Sequence, residues 1–387
     1  MDKRIAIIKP KDTDGVYFNS CYRAVDIGEI AGRLRDSGAE VEVFDGDFQQ
    51  IPTSGKFDQI AMYLTYRNTP LWLDSAYVEK IKEMSENGVV AYGEPASMGD
   101  ISLMKHFEYI VRGGDWGLGI LEAMKTKSTQ GSSSIISIPF DRSGNWSMPA
   151  LDMLPMDGYR GRIPKEYASF SDLIAISGSK GCGFGCAFCT APKVEGNIEI
   201  KSNSERIVKF FEIASADYKK PLVTVFGPNF LINRKWAKDV CEGLISNNNN
   251  VSWKCVTAPK TITADMLDMM GKAGCYQLGM GIETFSKAYT LPPAKRIEKE
   301  EVKRIIHLCK DNGIAPEFFL IRGLPGVSDR ETDEDVDFIT SNDGIVRISQ
   351  YMDYDSIAKE YETHGQYDKM IEESATLGKR WRIEVAE

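Results

Sequence analysis

The feature that most constrains the fold is a pattern repeated from Leu173 onward. Short apolar runs recur six times in succession, each separated from the next by a stretch of helical spacing. The runs fall at 173–178, 222–226, 251–257, 275–282, 316–322 and 345–349, and helical stretches fit between them at about 203–216, 233–246, 263–272, 298–312 and 330–340. Strands joined through helices pair in parallel, with helices covering the sheet. Six steps fall short of the closed eight-step form, so residues 169–350 are predicted to form a partial (β/α)6 barrel. Barrels of this kind carry their chemistry on the loops after the C-terminal ends of the strands.

A second alternation precedes the first. Arg4–Ile8, Glu40–Phe44, Gln59–Leu64, Val89–Tyr92 and Tyr109–Val111 read as strands. Ile27, Ile30, Ala31 and Leu34 share one helical face, Gly38 ends that helix, and Asp74–Met84 reads as another. Residues 1–125 are therefore expected to be a Rossmann-like parallel sheet domain, so that the fold class is α/β. Residues 126–168 read as a connector, opening with the loop-like run at 126–134. Residues 351–387, charged and carrying Trp381, read as a short C-terminal helical extension.

Charge and apolar runs narrow the function classes. The net charge of −9 repels phosphate backbones, so a nucleic-acid substrate is disfavoured. No run approaches the roughly 20 apolar residues of a membrane span, and the N-terminus lacks a signal-peptide core. A cytoplasmic location is expected.

Of eight cysteines, five are scattered (Cys21, Cys241, Cys255, Cys275 and Cys309) and three crowd into Gly181-Cys182-Gly183-Phe184-Gly185-Cys186-Ala187-Phe188-Cys189. The spacing is C-x3-C-x2-C, immediately after the first barrel strand. Three thiolates can hold a four-iron cube and leave one iron open for a chelating ligand, while the glycines let the loop wrap closely around a bulky group. The competing readings are a structural zinc site and a chance group of core thiols. Zinc asks for four ligands, and His106, His307 and His364 are remote in sequence. Asp12-Thr13-Asp14-Gly15 opens like a calcium loop but lacks the later ligands, so it reads as a turn.

The triplet, with an aromatic residue before its last cysteine, resembles the hallmark of the radical S-adenosylmethionine (SAM) superfamily. Cys275-Tyr276-Gln277-Leu278-Gly279-Met280-Gly281-Ile282-Glu283-Thr284 resembles that family's fourth strand, and Leu320-Ile321-Arg322-Gly323-Leu324-Pro325-Gly326 its fifth strand and following loop. Phe226-Gly227-Pro228-Asn229-Phe230 departs from it, carrying Gly-Pro where many relatives have an acidic pair. The resemblance implies a 4Fe–4S cluster on Cys182, Cys186 and Cys189. It also implies SAM contacts from Phe188, Thr257, Gly281, Glu283, Gly323 and Pro325. Glu283 would accept the ribose hydroxyls and Phe188 would pack on adenine. The resemblance further implies that an electron from the cluster would break the sulfonium bond and that a 5′-deoxyadenosyl radical would abstract hydrogen from substrate; the cofactor would carry the hard step.

The arrangement ahead of the barrel resembles the cobalamin-binding domain of cobalamin-dependent radical SAM methyltransferases. Open parallel sheets bind ligands at the C-terminal ends of their strands. The resemblance thereby nominates Thr65, Tyr66, Gly93, Glu94, Pro95, Gly113 and Gly114 for cobalamin. Gly113-Gly114 stands where relatives usually read Gly-Glu, and no Asp-x-His-x-x-Gly is present. The implied function is methyl transfer from methylcobalamin to a carbon or phosphorus centre, with Tyr351 and Arg322 facing a small-molecule or peptide substrate. A flavodoxin or ferredoxin would serve as electron donor. Two alternatives stand beside it: a radical rearrangement or cyclisation without net methylation, and a zinc-stabilised binding protein without catalysis.

Overall fold

The computed structural model describes residues 3–12, 24–65, 68–126, 133–293, 295–356, 359 and 384–385. Cys21, Tyr66, His364, Trp381, the Thr13–Gly15 part of the calcium-like turn and most of the 126–134 loop lie outside these residues.

The first sheet contains β1 (Arg4–Lys9), β2 (Glu40–Asp45), β3 (Gln59–Leu64), β4 (Val89–Gly93), β5 (Tyr109–Gly114) and β6 (Ser134–Ile138), in the order β2-β1-β3-β4-β5-β6. All its pairings are parallel. Successive residues of a strand point to opposite faces, and here both faces are covered. Ile5, Ile7, Ala61, Tyr63, Val90 and Tyr92 join the core shared with the barrel; Ala6, Ile8, Ile60, Met62, Val89 and Ala91 pack into a second core on the far side. This explains why the strands read as near-continuous apolar runs. The predicted helix beginning near Ile27 is a single π turn, Ala24–Gly28, running into the helix Glu29–Asp36. The sixth strand comes from the segment read as a connector.

The second sheet contains β7 (Asp172–Ser177), β10 (Pro221–Phe226), β11 (Ser252–Thr257), β12 (Cys275–Glu283), β13 (Ala315–Arg322) and β14 (Ile345–Gln350), all paired in parallel. The helices Ser204–Asp217, Arg234–Ser246, Ala264–Lys272, Lys299–Asp311 and Asp329–Thr340 fill the steps between them. A two-residue ribbon of β8 (Ser179–Lys180) and β9 (Ile200–Lys201) closes the base of the cysteine loop. The order is β15-β14-β13-β12-β11-β10-β7, so this is the expected open barrel with an added edge strand. That strand, β15 (Glu384–Val385), pairs antiparallel with β14. The expected helical extension is thereby corrected at its described end, which offers β14 backbone partners instead of lying on the barrel as a helix. Among the described residues no helix is long and apolar enough to cross a membrane.

A buried charge cluster joins the two sheets. Glu29 accepts hydrogen bonds from the Ser177 backbone N–H (2.8 Å) and hydroxyl (2.7 Å), and pairs with Arg206 (2.9 Å) and Lys180 (3.8 Å). Arg206 also donates to the carbonyls of Ser177 and Ser147. The end of β7, from which the cysteine loop departs, is thus fixed to the first helix of the preceding sheet.

Candidate cluster and cofactor site

The three cysteines lie in the loop between β8 and β9. Cys182 N donates to the Gly196 carbonyl at 3.0 Å, Gly181 N to the Glu195 carboxylate at 3.0 Å, and Tyr354 N to the Ala187 carbonyl at 3.1 Å. These bonds hold the loop open around a cleft of about 300 Å³, lined by all three thiols, Phe184, Gly227, Pro228 and Lys295. Among the described residues, no three His, Cys, Asp or Glu side chains gather as a single-ion metal site. A thiolate donor set spaced around a glycine-laced cleft suits the bulkier iron–sulfur cube. Burial pushes the Cys186 thiol up to about 11 and raises Cys182 and Cys189, while the Lys295 charge pulls all three down. Metal binding at this site therefore releases protons.

Glu283 closes β12 beside this cleft, 5% exposed. Its φ is +63°, a region that non-glycine residues seldom occupy, and the β12–β13 register shifts between Gly281 and Glu283. Asp335 holds the turn, accepting from the Thr284 hydroxyl at 3.0 Å and the Phe285 N–H at 2.9 Å. The carboxylate receives Lys295 Nζ at 2.5 Å. A side chain at Gly281 would run into both groups of this pair, which is what the glycine is for. Lys295 Nζ also stands 5.4 Å over the Phe188 ring. Burial works against the Lys295 charge, but Glu283 and the neighbouring thiols together outweigh it and the pKa is raised. Sequence reasoning missed Lys295, Asp335 and Asn229, because each comes to the site from a distant step of the barrel. The signal for Lys295 was a lysine just after Pro292-Pro293, in the loop following the Gly-Ile-Glu strand.

The remaining expected SAM residues divide. Phe188 lines a second hollow of about 220 Å³ with Cys189, Thr190, Ile321, Ser349, Gln350 and Met352. Tyr351 stands beside it, its ring 6.2 Å from Tyr289, which in turn is 6.4 Å from Phe188. Thr257 is 1% exposed and donates to Asn229 Oδ1 at 2.6 Å, so it braces the Gly227–Phe230 loop from behind. The Asn229 amide Nδ2 is left buried with no hydrogen-bond partner. Gly323 and Pro325 lie on an exposed turn. The Arg322 guanidinium pairs with Asp333 (2.6 Å) and Asp329 (3.5 Å), tying β13 to the next helix.

On the first sheet, Gly93 and Gly114 admit the carbonyls of Leu64 and Ile138, and Gly113 admits that of Lys193. Their close approaches serve the chain's own backbone. Lys193 belongs to the helix Ala191–Val194, directly after the last cysteine, so the cysteine loop is seated on the C-terminal edge of the first sheet. Thr65 donates its N–H to Asn68 and accepts at its carbonyl from Trp72. Glu94 hydrogen-bonds Thr190, beside Cys189; burial and then the Asp26 charge raise its pKa to about 7. Pro95 is buried at the start of the helix Glu94–Met98.

Residues 176–339 match the radical SAM superfamily. The chain is 23% identical over 235 residues to an uncharacterized methyltransferase of Pyrococcus horikoshii, covering 61% of this chain and 48% of that one. It is 29% identical over 161 residues to the anaerobic magnesium-protoporphyrin IX monomethyl ester cyclase of Rubrivivax gelatinosus, covering 41% and 29%. The chain therefore spans about half, or less, of these relatives' lengths. Among solved structures it resembles the radical SAM methyltransferase TsrM from Kitasatospora setae, determined with cobalamin and a 4Fe–4S cluster bound. The TM-score is 0.66 at 16% identity, over 90% of this chain and 75% of that one. That likeness is one of fold.

Proposed function

We propose, from the premise that residues 176–339 are a radical SAM domain, that this chain is a cobalamin-dependent radical SAM methyltransferase acting on a small-molecule or peptide substrate. The acceptor is a carbon or phosphorus centre. The observation that carries the reading is the junction of the two sheets. A three-thiol loop is seated against the strand ends of a separate parallel sheet, which is where open sheets take their ligands. The fold likeness to TsrM spans both sheets, not the barrel alone.

The chain's own residues divide the work. Cys182, Cys186 and Cys189 would hold the cluster, and Gly281 leaves room for the Glu283 carboxylate to accept the ribose hydroxyls of SAM. Asn229 supplies a buried amide donor behind the Gly227-Pro228 wall. Phe188 and Ile321 wall the apolar hollow suited to adenine. Thr65, Glu94 and Pro95 would hold cobalamin at the edge of the first sheet. Its amide-fringed ring suits a carboxyl whose hydrogen-bond partner is a threonine hydroxyl. When bound, the cluster supplies the electron for SAM cleavage and cobalamin carries the methyl group. A flavodoxin- or ferredoxin-class protein would supply electrons.

The test is anaerobic reconstitution with iron, sulfide and hydroxocobalamin, followed by gel filtration and mass analysis of the product. Retained corrin and a product heavier by one methylene support the proposal. A protein that cleaves SAM without retaining corrin removes methyl transfer and favours rearrangement or cyclisation, the reading that the cyclase likeness supports.

A further inference from the structure

We infer that Lys295 is a positioning residue for electron entry: its ammonium stabilises the negative charge that a cluster on Cys182, Cys186 and Cys189 gains on reduction, and Glu283 fixes that ammonium in place. The inference rests on the cluster reading above. Lys295 lines the same cleft as the three thiols, and its Nζ lies over the ring of Phe188, which stands between the second and third cysteines. Its side chain is 17% exposed and that of Glu283 is 6% exposed, so water screens the pair poorly.

Cluster potentials follow net charge, hydrogen bonding and exposure. A fixed cation beside the cluster favours the reduced state, and the neighbouring carboxylate offsets part of that effect. The two residues therefore shift the potential in opposite directions. Neither side chain is consumed: the electron comes from an external low-potential reductant and resides on the cluster. One loop beyond the Gly-Ile-Glu strand thus brings to the thiols a charge that no residue within the triplet supplies.

The test uses the full chain reconstituted anaerobically with iron and sulfide, without SAM or cobalamin, as wild type, Lys295→Met, Lys295→Arg and Glu283→Gln. Midpoint potentials are read by reductive titration with electron paramagnetic resonance detection. The expected result is a more negative midpoint for Lys295→Met, a near-native one for Lys295→Arg and a more positive one for Glu283→Gln. Equal midpoints in all four proteins overturn the inference and leave the cluster in place. If Lys295→Met assembles no cluster, Glu283→Gln decides: a native midpoint there overturns the inference. A wild-type protein that takes up no iron defeats the proposed function itself, a different outcome from equal midpoints.

Discussion

Glu283 is a strand residue in a backbone conformation that glycine adopts at less cost. Holding it there costs about 1–3 kcal/mol, offset by the two hydrogen bonds that Asp335 accepts from the following turn. Strain of this kind aims a carboxylate where an ordinary strand end would not. Glu283 and the triplet were legible in the sequence because their motifs are local. Lys295 was not, since its partners lie 12 residues back at Glu283 and beyond 100 residues back at the thiols. The hydrogen bond of Thr257 and the ion pairs of Arg322 were not legible for a related reason: a polar side chain at a strand end can equally brace its neighbours, and spacing alone does not say which. Glu94 carries the pH dependence of this scale. Burial raises its folded pKa to about 7, above the ordinary carboxylate value of 4.5, so the folded state holds the proton longer as pH rises. Its stability contribution is complete below 4.5 and is lost on the way to about 7. Glu94→Gln is expected to flatten that fall, so urea midpoints at pH 5 and pH 8 should differ less than in the wild type. An unchanged difference would contradict this.

Among the elements, the barrel helices were readable because each carries an apolar stripe of helical period on a charged background, as in Lys299–Asp311, where Val302, Ile305, Ile306 and Cys309 are buried. β6 was hidden by its composition. Ser134–Ile138 buries Ile136 alone, follows a serine run and leaves Ile135 exposed, so periodicity marked only short strands in a connector. Pairing with β5, not side-chain pattern, makes it the sixth strand of the first sheet. β15 was equally unmarked, being two residues in a charged tail. The contact between the sheets turns on Glu29. Its side chain is 12% exposed and Arg206 is 6% exposed, so removing the carboxylate strands a buried guanidinium. Glu29→Ala is predicted to cost about 3–5 kcal/mol of unfolding free energy, read by chemical denaturation. A loss below about 1 kcal/mol, the scale of an exposed pair, would mean the cluster is not a structural joint.

At the scale of the whole molecule, two parallel sheets meet with the strand ends of one against the cysteine loop of the other. The alternation of strands and helices made both sheets legible, but not their junction, because nothing local in the sequence says that the helix Ala191–Val194 will rest on Gly113. Cluster binding and SAM cleavage both depend on the triplet. The most direct test is to reconstitute the wild type and each of Cys182→Ala, Cys186→Ala and Cys189→Ala anaerobically, then measure iron, sulfide and 5′-deoxyadenosine after adding SAM and dithionite. The wild type is predicted to hold iron and sulfide and to release 5′-deoxyadenosine, and each variant to lose both properties. A colourless wild-type protein holding zinc, or variants that still cleave SAM, would contradict it.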